Sequence, residues 1–341
     1  MTKPNVLLLC GGASDEHEVS ISSARSVINA LANHANVTPL VIDRAGKLLS
    51  PGDSGKALQS GTAPAGSGSG SLAQLGANGS AGFDVVFPLL HGPNGEDGTV
   101  QGLLRLMNLP FVGSGVLASA VGMDKLMMKG VFAAAGLPQV EYRGINRRAW
   151  AAGRDRILDE LSSWKLPLFV KPANLGSSVG ISKVSDVTRL AAAIDLAFRF
   201  DRRVIVEQGL VGAREIEAAV LGNDDPQVSP VGEIRYDSDF YDYETKYTAG
   251  HSELLIPAPI PDEVAQECRR LARKAFLAVD AAGLARVVFF YMEDEGRVVP
   301  YEINTLPGFT QTSMYAKLWG HDGVGYPELV RTLVQLALEE R

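Results

Sequence analysis

Cysteines and long hydrophobic runs are both scarce in this sequence. Only Cys10 and Cys268 occur among its 341 residues, too few for the disulfide framework of a small secreted protein. The longest apolar stretch, 285–292, is the length of a strand and contains Arg286, whereas a membrane-spanning helix needs about 18 apolar residues in a row. Met1 is followed by one lysine and a short apolar run rather than by a signal peptide. We therefore expect a cytoplasmic protein that does not insert into membranes.

An excess of positive charge is also missing. The chain has 32 Lys and Arg against 39 Asp and Glu, a net charge of −7, which argues against nucleic acid as a partner. Neither a GxxxxGK[ST] loop nor a GxGxxG turn opening a helix is present, so neither a Walker-type nucleotide site nor a Rossmann dinucleotide site is supported. With 46% hydrophobic and 21% charged residues the chain has the composition of a folded protein. At roughly 150 residues per domain, its length predicts two or three domains.

The amino-terminal part has the pattern of a βαβ unit. The run NVLLLC at 5–10 ends in Gly11 and Gly12, which predicts a buried parallel strand. Apolar residues at helical spacing predict a helix over 20–33, and 37–42 and 84–90 are further strands. The Gly-, Ser- and Ala-rich segment 51–82 is predicted to be a flexible surface loop that contributes neither to a core nor to chemistry.

The rest of the chain predicts an α+β middle domain and a mixed carboxy-terminal part. In the strand 214–221, alternation places Ile216, Ala218 and Val220 inward and Glu215 and Glu217 outward. Residues 294–296 predict a hairpin turn. Helices are expected at 101–107, 261–282 and 326–340, and further strands at 166–172, 202–208, 284–292 and 297–304.

Two Gly-rich loops near the predicted first domain carry polar side chains. In GGASDEHEVS (11–20), Glu16 is a candidate for binding an ammonium group, while Ser14, Asp15 and Glu18 have an alternative role as helix caps. In HGPNGEDGTVQG (91–102), the density of glycine indicates a ligand-facing loop. His91 there is either a substrate contact or a structural histidine satisfied by the backbone.

Two later segments indicate phosphate and metal chemistry. In FVKPANLGSSVG, Lys171 precedes a loop whose Ser177 and Ser178 donors are suited to phosphate oxygens, although such a loop is often only a linker. Glu302 and Asn304 are two residues apart on a strand, so both oxygen-bearing side chains share one face and suit Mg²⁺. The alternative for that pair is a solvated surface.

In their order and across nearly the whole chain, these segments closely resemble the D-alanine–D-alanine ligases of the ATP-grasp superfamily. The resemblance rests on six segments, GGASDEHEVS, HGPNGEDGTVQG, VGSGVLASAVGMDK, KPANLGSSVG, FYDYETKY and EINTLPGFTQTSMYAKLW. It implies an α/β, three-domain ATP-grasp architecture whose amino-terminal domain is Rossmann-like. The expected divisions are 1–115 for substrate binding, 116–212 and 213–341 for the two ATP-grasp parts, and a mobile loop near 236–252.

The resemblance also implies a site. ATP would be held by Lys125, Lys171, Ser177, Ser178, Glu207, Gln208, Leu210, Glu215 and Lys246. The substrates would contact Glu16, His91, Tyr247, Arg286, Gly308, Ser313 and Met314, of which Glu16, Tyr247, Arg286 and Ser313, together with Ser177, are the expected catalytic residues. Glu302 and Asn304 would bind Mg²⁺ or Mn²⁺. A tyrosine at 247 implies formation of a dipeptide rather than a depsipeptide.

One position departs from the family pattern. The family reads ARVDFF, with a metal-binding aspartate, where this chain reads ARVVFF with Val288. A valine cannot ligate a metal, and Glu293 lies beyond the natural reach of the strand. We therefore expect ATP-dependent ligation of two D-alanines through an acylphosphate, for peptidoglycan synthesis, with impaired metal binding. The alternative is a degenerate ATP-binding paralogue with little turnover. The family also implies a homodimer.

Overall fold

The computed structural model describes residues 3–71, 82–176, 179–236 and 252–339. The α-helices in these ranges are α1 (His17–Leu31), α2 (Pro51–Ser60), α3 (Thr99–Leu106), α4 (Val116–Met123), α5 (Lys125–Ala134), α6 (Arg147–Ser162), α7 (Leu190–Ala197), α8 (Asp262–Ala278), α9 (Met314–His321) and α10 (Tyr326–Leu338). The strands are β1 (Asn5–Gly11), β2 (Asn36–Ile42), β3 (Val85–Leu89), β4 (Tyr142–Asn146), β5 (Leu168–Pro172), β6 (Ser182–Val184), β7 (Arg203–Gln208), β8 (Arg214–Gly222), β9 (Gln227–Val228), β10 (Gly232–Tyr236), β11 (Ser252–Leu255), β12 (Gly283–Met292) and β13 (Arg297–Asn304). In the described ranges, every helix is too short or too polar to cross a bilayer.

The amino-terminal sheet is parallel, in the order β2-β1-β3. Its central strand β1 is buried along almost its whole length, because α1 and α10 pack on one face and α3 covers the other. A continuous apolar run such as NVLLLC needs cover on both faces. The predicted βαβ unit is confirmed.

The prediction of a structureless loop over 51–82 is wrong in its first part. Ser50 accepts a hydrogen bond from the Asp53 N–H at 3.2 Å and caps α2, which ends at Gly61 with a left-handed φ of 87°. Ala57 and Leu58, with Ala63 after the helix, are buried in the amino-terminal core. The Gly- and Ser-rich composition led to this error, although Ser50, Pro51 and Asp53 form a typical helix start. Residues 72–81 lie outside the described residues.

Two antiparallel sheets follow. The smaller has the order β4-β7-β5-β6, and α6 and α7 pack on it through residues such as Leu161 and Ile194. The larger runs β11-β10-β8-β12-β13, with β9 beside β8, and α8 buries Leu271 and Phe276 against it. Strands β12 and β13 form the predicted hairpin, closed at Gly296.

The last two helices, α9 and α10, also pack against the amino-terminal part of the chain. Residues of α9 and α10, such as Trp319 and Leu329, belong to the same hydrophobic cluster as β1, β3 and α1. Tyr326 donates a hydrogen bond to the carbonyl of Phe309 at 2.8 Å, and the Phe309 ring packs against Phe87 of β3. The chain therefore returns to its amino-terminal part, and this return positions the segment 305–313.

Candidate functional site

A cleft between the two antiparallel sheets gathers several of the residues predicted from the sequence. It is lined by Lys125, Met128, Lys129, Lys171, Glu207, Tyr301 and Glu302. These residues come from α5, β5, β7 and β13, so the cleft exists only once the two sheets face each other. Its charged groups are suited to an anionic ligand with a metal ion at one end.

A buried ionic network forms the floor of this cleft. The Lys171 ammonium contacts the Glu207 carboxylate and the Tyr301 hydroxyl, and Lys129 Nζ lies 2.7 Å from the other oxygen of Glu207. Burial by itself would raise the pKa of the Glu207 carboxyl, but the two ammonium groups outweigh it and hold that pKa at about 2. Burial raises the pKa of Tyr301 well above its usual range, so this residue stays a neutral phenol, and its oxygen accepts from the Lys171 ammonium. Two lysines and one carboxylate leave the network with a net charge of +1.

Lys125 lies at the start of α5, beside the segment that precedes Ser177. Its Nζ donates to the carbonyl of Leu175 at 2.6 Å. The helix start is capped by the Asp124 carboxylate, which accepts from the N–H groups of Leu126 and Met127 and also pairs with Arg203. Lys125 is therefore held at the mouth of the cleft by a rigid helix end.

The residues expected at the adenine edge lie at the end of β7, which pairs with β5. Glu207 is buried and its carboxylate is engaged by lysines, whereas Gln208 and Leu210 are partly exposed. Glu215 opens β8 and is also partly exposed. The Glu207 carboxylate is therefore held by lysines, and its backbone lies between β4 and β5 in the sheet.

A second group of polar residues faces the same region from the amino-terminal part. His91 is buried, with Nδ1 at 3.3 Å from Glu96 Oε1 and Nε2 at 3.4 Å from Ser23 Oγ. A Cβ added to Gly92 would lie 3.2 Å from Glu16 Oε2, so the backbone of the 91–102 loop runs close against Glu16. The reading of His91 as a histidine held by the backbone is thus incomplete, since two side chains hold its ring.

The helix-cap alternative for 14–18 is only partly supported. Glu16, the residue at the cap position of α1, makes no side-chain cap hydrogen bond, whereas the Glu18 carboxylate accepts from its own backbone N–H. Ser14 instead donates to the carbonyl of His91 at 2.7 Å, and Glu18 pairs with Arg44 at 2.6 Å. The Ser14 contact ties the loop 11–16 to His91, and Glu16 lies close enough to raise the pKa of that histidine.

The carboxyl of Glu96 has a raised pKa. Burial raises its pKa to about 7, and the neighbouring carboxylates of Glu16 and Glu302 act in the same direction, against the opposing effect of His91. The pKa of His91 is also raised, because Glu96 and Glu16 outweigh the effect of burial. These mutual effects show that Glu16, Glu96 and Glu302 share one region of the molecule.

The segment 308–314 lies between the two groups. Ser313 Oγ accepts from the Thr310 N–H at 3.0 Å, and α9 begins at Met314. The Phe309 N–H donates to Ser23 Oγ at 3.3 Å, which links this segment to His91. The N–H groups at the start of a helix favour a carboxylate, so Ser313 and Met314 are well placed to bind one.

Strands β8, β12 and β13 carry the remaining predicted residues. Arg286 Nε lies 3.1 Å from Glu217 Oε1, and Asn304 is the register partner of Arg286 on β13. The prediction that Glu217 faces outward does not make it a solvent-exposed residue, because it is only 1% exposed. Alternation along β8 places it on the second face of the strand, but that face is covered rather than solvated.

The donors near Glu302 fit one magnesium ion. Glu302 and Asn304 present oxygen atoms from one strand, and Mg²⁺ usually takes one or two carboxylates and completes its shell with phosphate and water. Val288 is 5% exposed and lies opposite Glu302 in the β12–β13 register, so an apolar side chain occupies the position at which the family resemblance implies a metal ligand. Glu293 does not substitute, because it contacts Arg214 at the far end of β12. Among the described residues no group of three or more His, Cys, Asp or Glu is arranged to hold a metal.

Four predicted residues cannot be placed. Ser177, Ser178, Lys246 and Tyr247 lie outside the described residues, as does most of the expected mobile loop near 236–252.

Four residues of the site were not predicted from the sequence, namely Lys129, Tyr301, Glu96 and Glu217. Lys129 and Glu217 are charged residues that look solvated when helix and strand periods are counted alone. A weak signal was available for Glu96, which lies in the Gly-rich loop that was singled out. Tyr301 precedes Glu302 and reads as an ordinary strand aromatic.

Comparisons with known proteins identify the family of this chain. Residues 5–114 match the family model described as D-ala D-ala ligase N-terminus, and residues 131–335 match the model described as D-ala D-ala ligase C-terminus. A D-alanine–D-alanine ligase of Deinococcus radiodurans is 55% identical over 341 residues, which covers 99% of this chain and 100% of the relative.

Solved structures give the same result. The VanG D-Ala:D-Ser ligase from Enterococcus faecalis has a TM-score of 0.84 at 32% identity and covers 98% of this chain and 100% of its own. The D-alanine–D-alanine ligase from Coxiella burnetii has a TM-score of 0.80 at 34% identity and covers 99% and 95%. The fold is therefore α/β of the ATP-grasp type, and the chain belongs to the D-alanine–D-alanine ligase family.

Proposed function

We propose that this protein is an ATP-dependent ligase that joins two D-alanines into D-alanyl-D-alanine for peptidoglycan synthesis. The observation that carries the proposal is the cleft in which Lys125, Lys171 and Glu302 meet, with Glu16 and His91 facing the same region. A cationic cleft for phosphates beside a carboxylate suited to an ammonium group is what an ATP-dependent amino-acid ligase requires.

In the first step the carboxylate of one D-alanine attacks the γ-phosphorus of ATP, the bond to the bridging oxygen breaks, and ADP leaves. Lys125 and Lys171 neutralise charge on the phosphate oxygens. Glu302 and Asn304 would hold Mg²⁺, which when bound withdraws charge from the phosphates. Glu16 binds the ammonium group of this first D-alanine and so aims its carboxylate.

In the second step the amine of another D-alanine attacks the acylphosphate carbonyl, and phosphate leaves as the amide forms. Arg286 and the N–H of Gly308 stabilise the oxyanion of the tetrahedral intermediate. Ser313 and the N–H of Met314 bind the carboxylate of the second D-alanine at the start of α9. His91 lines the pocket.

Closure of the site belongs to the proposal as well. Glu16, Ser177 and Tyr247 would form a hydrogen-bonded triad that holds the loop 236–252 over the acylphosphate and excludes water. Ser178 and Lys246 would join the phosphate contacts, and Gln208, Leu210 and Glu215 would contact the nucleoside. These assignments rest on the family resemblance.

The proposal includes a weakened metal site. Val288 removes one carboxylate and one negative charge from the position facing Glu302. Loss of even an outer-shell partner of a metal lowers affinity or activity about 10- to 100-fold, so loss of a direct ligand is expected to cost at least as much. We expect slow turnover that rises at high Mg²⁺ or Mn²⁺ concentration.

The test compares the unchanged protein with Val288→Asp and Val288→Asn. D-alanyl-D-alanine formation and phosphate release are measured with ATP and D-alanine over a wide Mg²⁺ and Mn²⁺ titration. Mn²⁺ binding in the presence of a non-hydrolysable ATP analogue is followed separately by electron paramagnetic resonance. We expect Val288→Asp to tighten Mn²⁺ binding and raise turnover more than about 10-fold, and Val288→Asn, which has the shape without the charge, to do less.

Other outcomes are distinct. Equal Mn²⁺ binding by the unchanged protein and Val288→Asp would refute the proposal that Val288 weakens the metal site. If neither protein forms D-alanyl-D-alanine but both still bind ATP, the degenerate ATP-binding paralogue is favoured. Because one structural relative is a D-Ala:D-Ser ligase, D-serine is included as second substrate, and a preference for it would change the assigned specificity.

The proposal includes a division of the chain into parts 1–115, 116–212 and 213–341. It also includes a homodimer formed through the amino-terminal region. Sedimentation equilibrium tests the dimer, and a monomeric mass at micromolar concentration would refute it.

A further inference from the structure

The ligase mechanism outlined above uses Arg286 but not Glu217, a buried glutamate that forms an ion pair with it. We propose that Glu217 is a positioning residue, which holds the Arg286 guanidinium in place for the acyl-transfer step. This inference rests on the proposed function, since it assumes that Arg286 stabilises the oxyanion.

The register of the sheet brings the two side chains together. On the antiparallel pair β8 and β12, Glu217 is opposite Val288 and Ala219 is opposite Arg286. Glu217 and Arg286 are therefore diagonal neighbours on one face, within reach of long side chains. Arg286 Nε and Glu217 Oε1 are 3.1 Å apart, and the two side chains are 23% and 2% exposed.

The two exposures assign the roles. The Glu217 side chain is enclosed, while the Arg286 side chain is partly exposed. The 3.1 Å approach at Nε is an ion pair without hydrogen-bond geometry. The attraction between the two charges limits the positions of the guanidinium and leaves its rigid fork of N–H donors available for other partners. Holding a long side chain in its reactive position before substrate arrives lowers the entropy that the reaction must lose.

The geometry favours this role over metal binding by Glu217. Glu217, Val288 and Glu302 occupy one row across β8, β12 and β13. Neighbouring strands are about 4.8 Å apart, so the backbones at Glu217 and Glu302 are roughly 9.5 Å apart, with Val288 between them. Val288 thus separates Glu217 from Glu302 and Asn304, the residues that would hold a metal ion, whereas Arg286 Nε is 3.1 Å from Glu217 Oε1.

The chain offers a matched control in Glu233. This glutamate is also buried, with a side chain 3% exposed, and it pairs with Arg214 Nε at 2.8 Å. It lies on β10 opposite Ile216 and therefore on the other face of the same sheet. Glu233→Gln removes a buried ion pair of the same kind without touching Arg286.

The experiment uses full-length Glu217→Gln, Glu217→Asp, Glu233→Gln and Arg286→Lys, each made in the unchanged chain and in Val288→Asp, so that a weak metal site does not hide the result. We expect Glu217→Gln to lower kcat about 10- to 100-fold, as misplacement of a catalytic group does, with the KM for ATP changed less than about twofold. Glu217→Asp, which retains the charge, should recover part of the loss. Glu233→Gln should keep near-normal kcat.

A spectroscopic readout is independent of turnover. The Arg286 Nε–H resonance, identified by its absence in Arg286→Lys, should lose protection from solvent exchange in Glu217→Gln and keep it in Glu233→Gln. Unchanged exchange, or a kcat for Glu217→Gln equal to that of Glu233→Gln, overturns the inference while leaving the ligase assignment intact. Normal turnover of Arg286→Lys overturns both the oxyanion role of Arg286 and the inference. Absence of turnover in all proteins with the expected exchange pattern would refute the ligase assignment and retain the Glu217 contact.

Discussion

Lys129 shows how a residue without a recognisable motif joins the site through its neighbours. It is buried, pairs with Glu207, and shares that carboxylate with Lys171. An unpaired buried charge is costly, so the two lysines and the carboxylate are held together as one unit. Its residual positive charge faces the cleft, where it favours the phosphates of ATP.

We predict that Lys129→Met raises the KM for ATP about 10-fold, equivalent to about 1.4 kcal/mol, with a smaller change in kcat. Methionine keeps most of the length of the side chain but removes the net charge of the network. Steady-state kinetics with varied ATP measures the effect. Lys274→Met, at an exposed lysine that donates to the Gly136 carbonyl, serves as control, and an equal KM change in both variants would contradict the prediction.

The raised pKa values of Glu96 and His91 predict a stability that falls with pH. A group whose pKa is higher in the folded state contributes stability that is complete below its unfolded pKa, near 4.5 for Glu96, and is lost as the pH rises through the folded value of about 7. His91 changes in the same direction. Between pH 5 and pH 8 the unchanged protein should therefore lose ~2 kcal/mol more of its free energy of unfolding than Glu96→Gln does.

Denaturant unfolding at several pH values measures this difference. Glu263→Gln, at an exposed carboxyl of α8, should follow the unchanged protein throughout. Parallel curves for the unchanged protein and Glu96→Gln would show that the carboxyl is not perturbed.

Among the elements, α2 shows that capping chemistry can outweigh composition. Its residues are small and polar, yet Ser50, Pro51 and Gly61 define a start and an end, and Ala57 and Leu58 reach the core. The longer helices α1, α8 and α10 were predicted correctly within a few residues, because their apolar residues recur at helical spacing.

We predict that Ser50→Ala lowers the free energy of unfolding by about 1 kcal/mol, since it removes the acceptor for the Asp53 N–H. Ligase activity should not change, because α2 is absent from the cleft. Ser26→Ala, at an exposed serine inside α1, is the control for loss of a hydroxyl. An equal effect of both substitutions would mean that the cap contributes nothing.

At the scale of the whole molecule, the first and last parts of the chain share one hydrophobic cluster. Leu329 of α10 is fully buried in the cluster that also contains residues of β1 and α1. Removing its side chain leaves a cavity next to both parts, and such substitutions cost about 2–5 kcal/mol. We predict that Leu329→Ala destabilises α1 as well as α10.

Hydrogen exchange measured by mass spectrometry locates this effect. Peptides from α1 should lose protection together with those from α10, while peptides from α6, which belongs to a different cluster, should change less. Leu161→Ala in α6 is the reciprocal control. Loss confined to α10 would show that the two ends of the chain are not coupled.

Much of the fold follows from the sequence because its signals are local. Continuous apolar runs predict β1 and β3, and the apolar segment 284–292 predicts β12. Alternation predicts β8, and the glycine after Asp294 and Glu295 predicts the β12–β13 hairpin. The short strands β4, β6, β9, β10 and β11 were missed, since two to five residues carry too little periodicity.

The residue types available for chemistry can be read from the amino-acid sequence, among them Glu16, Lys171, Glu302 and the valine at 288. Their meeting depends on the folded chain, in which two lysines share Glu207, Glu96 supports His91, and Glu217 pairs with Arg286. Burial and charge pairing arise from contacts between residues far apart in the chain, and no local pattern records such contacts.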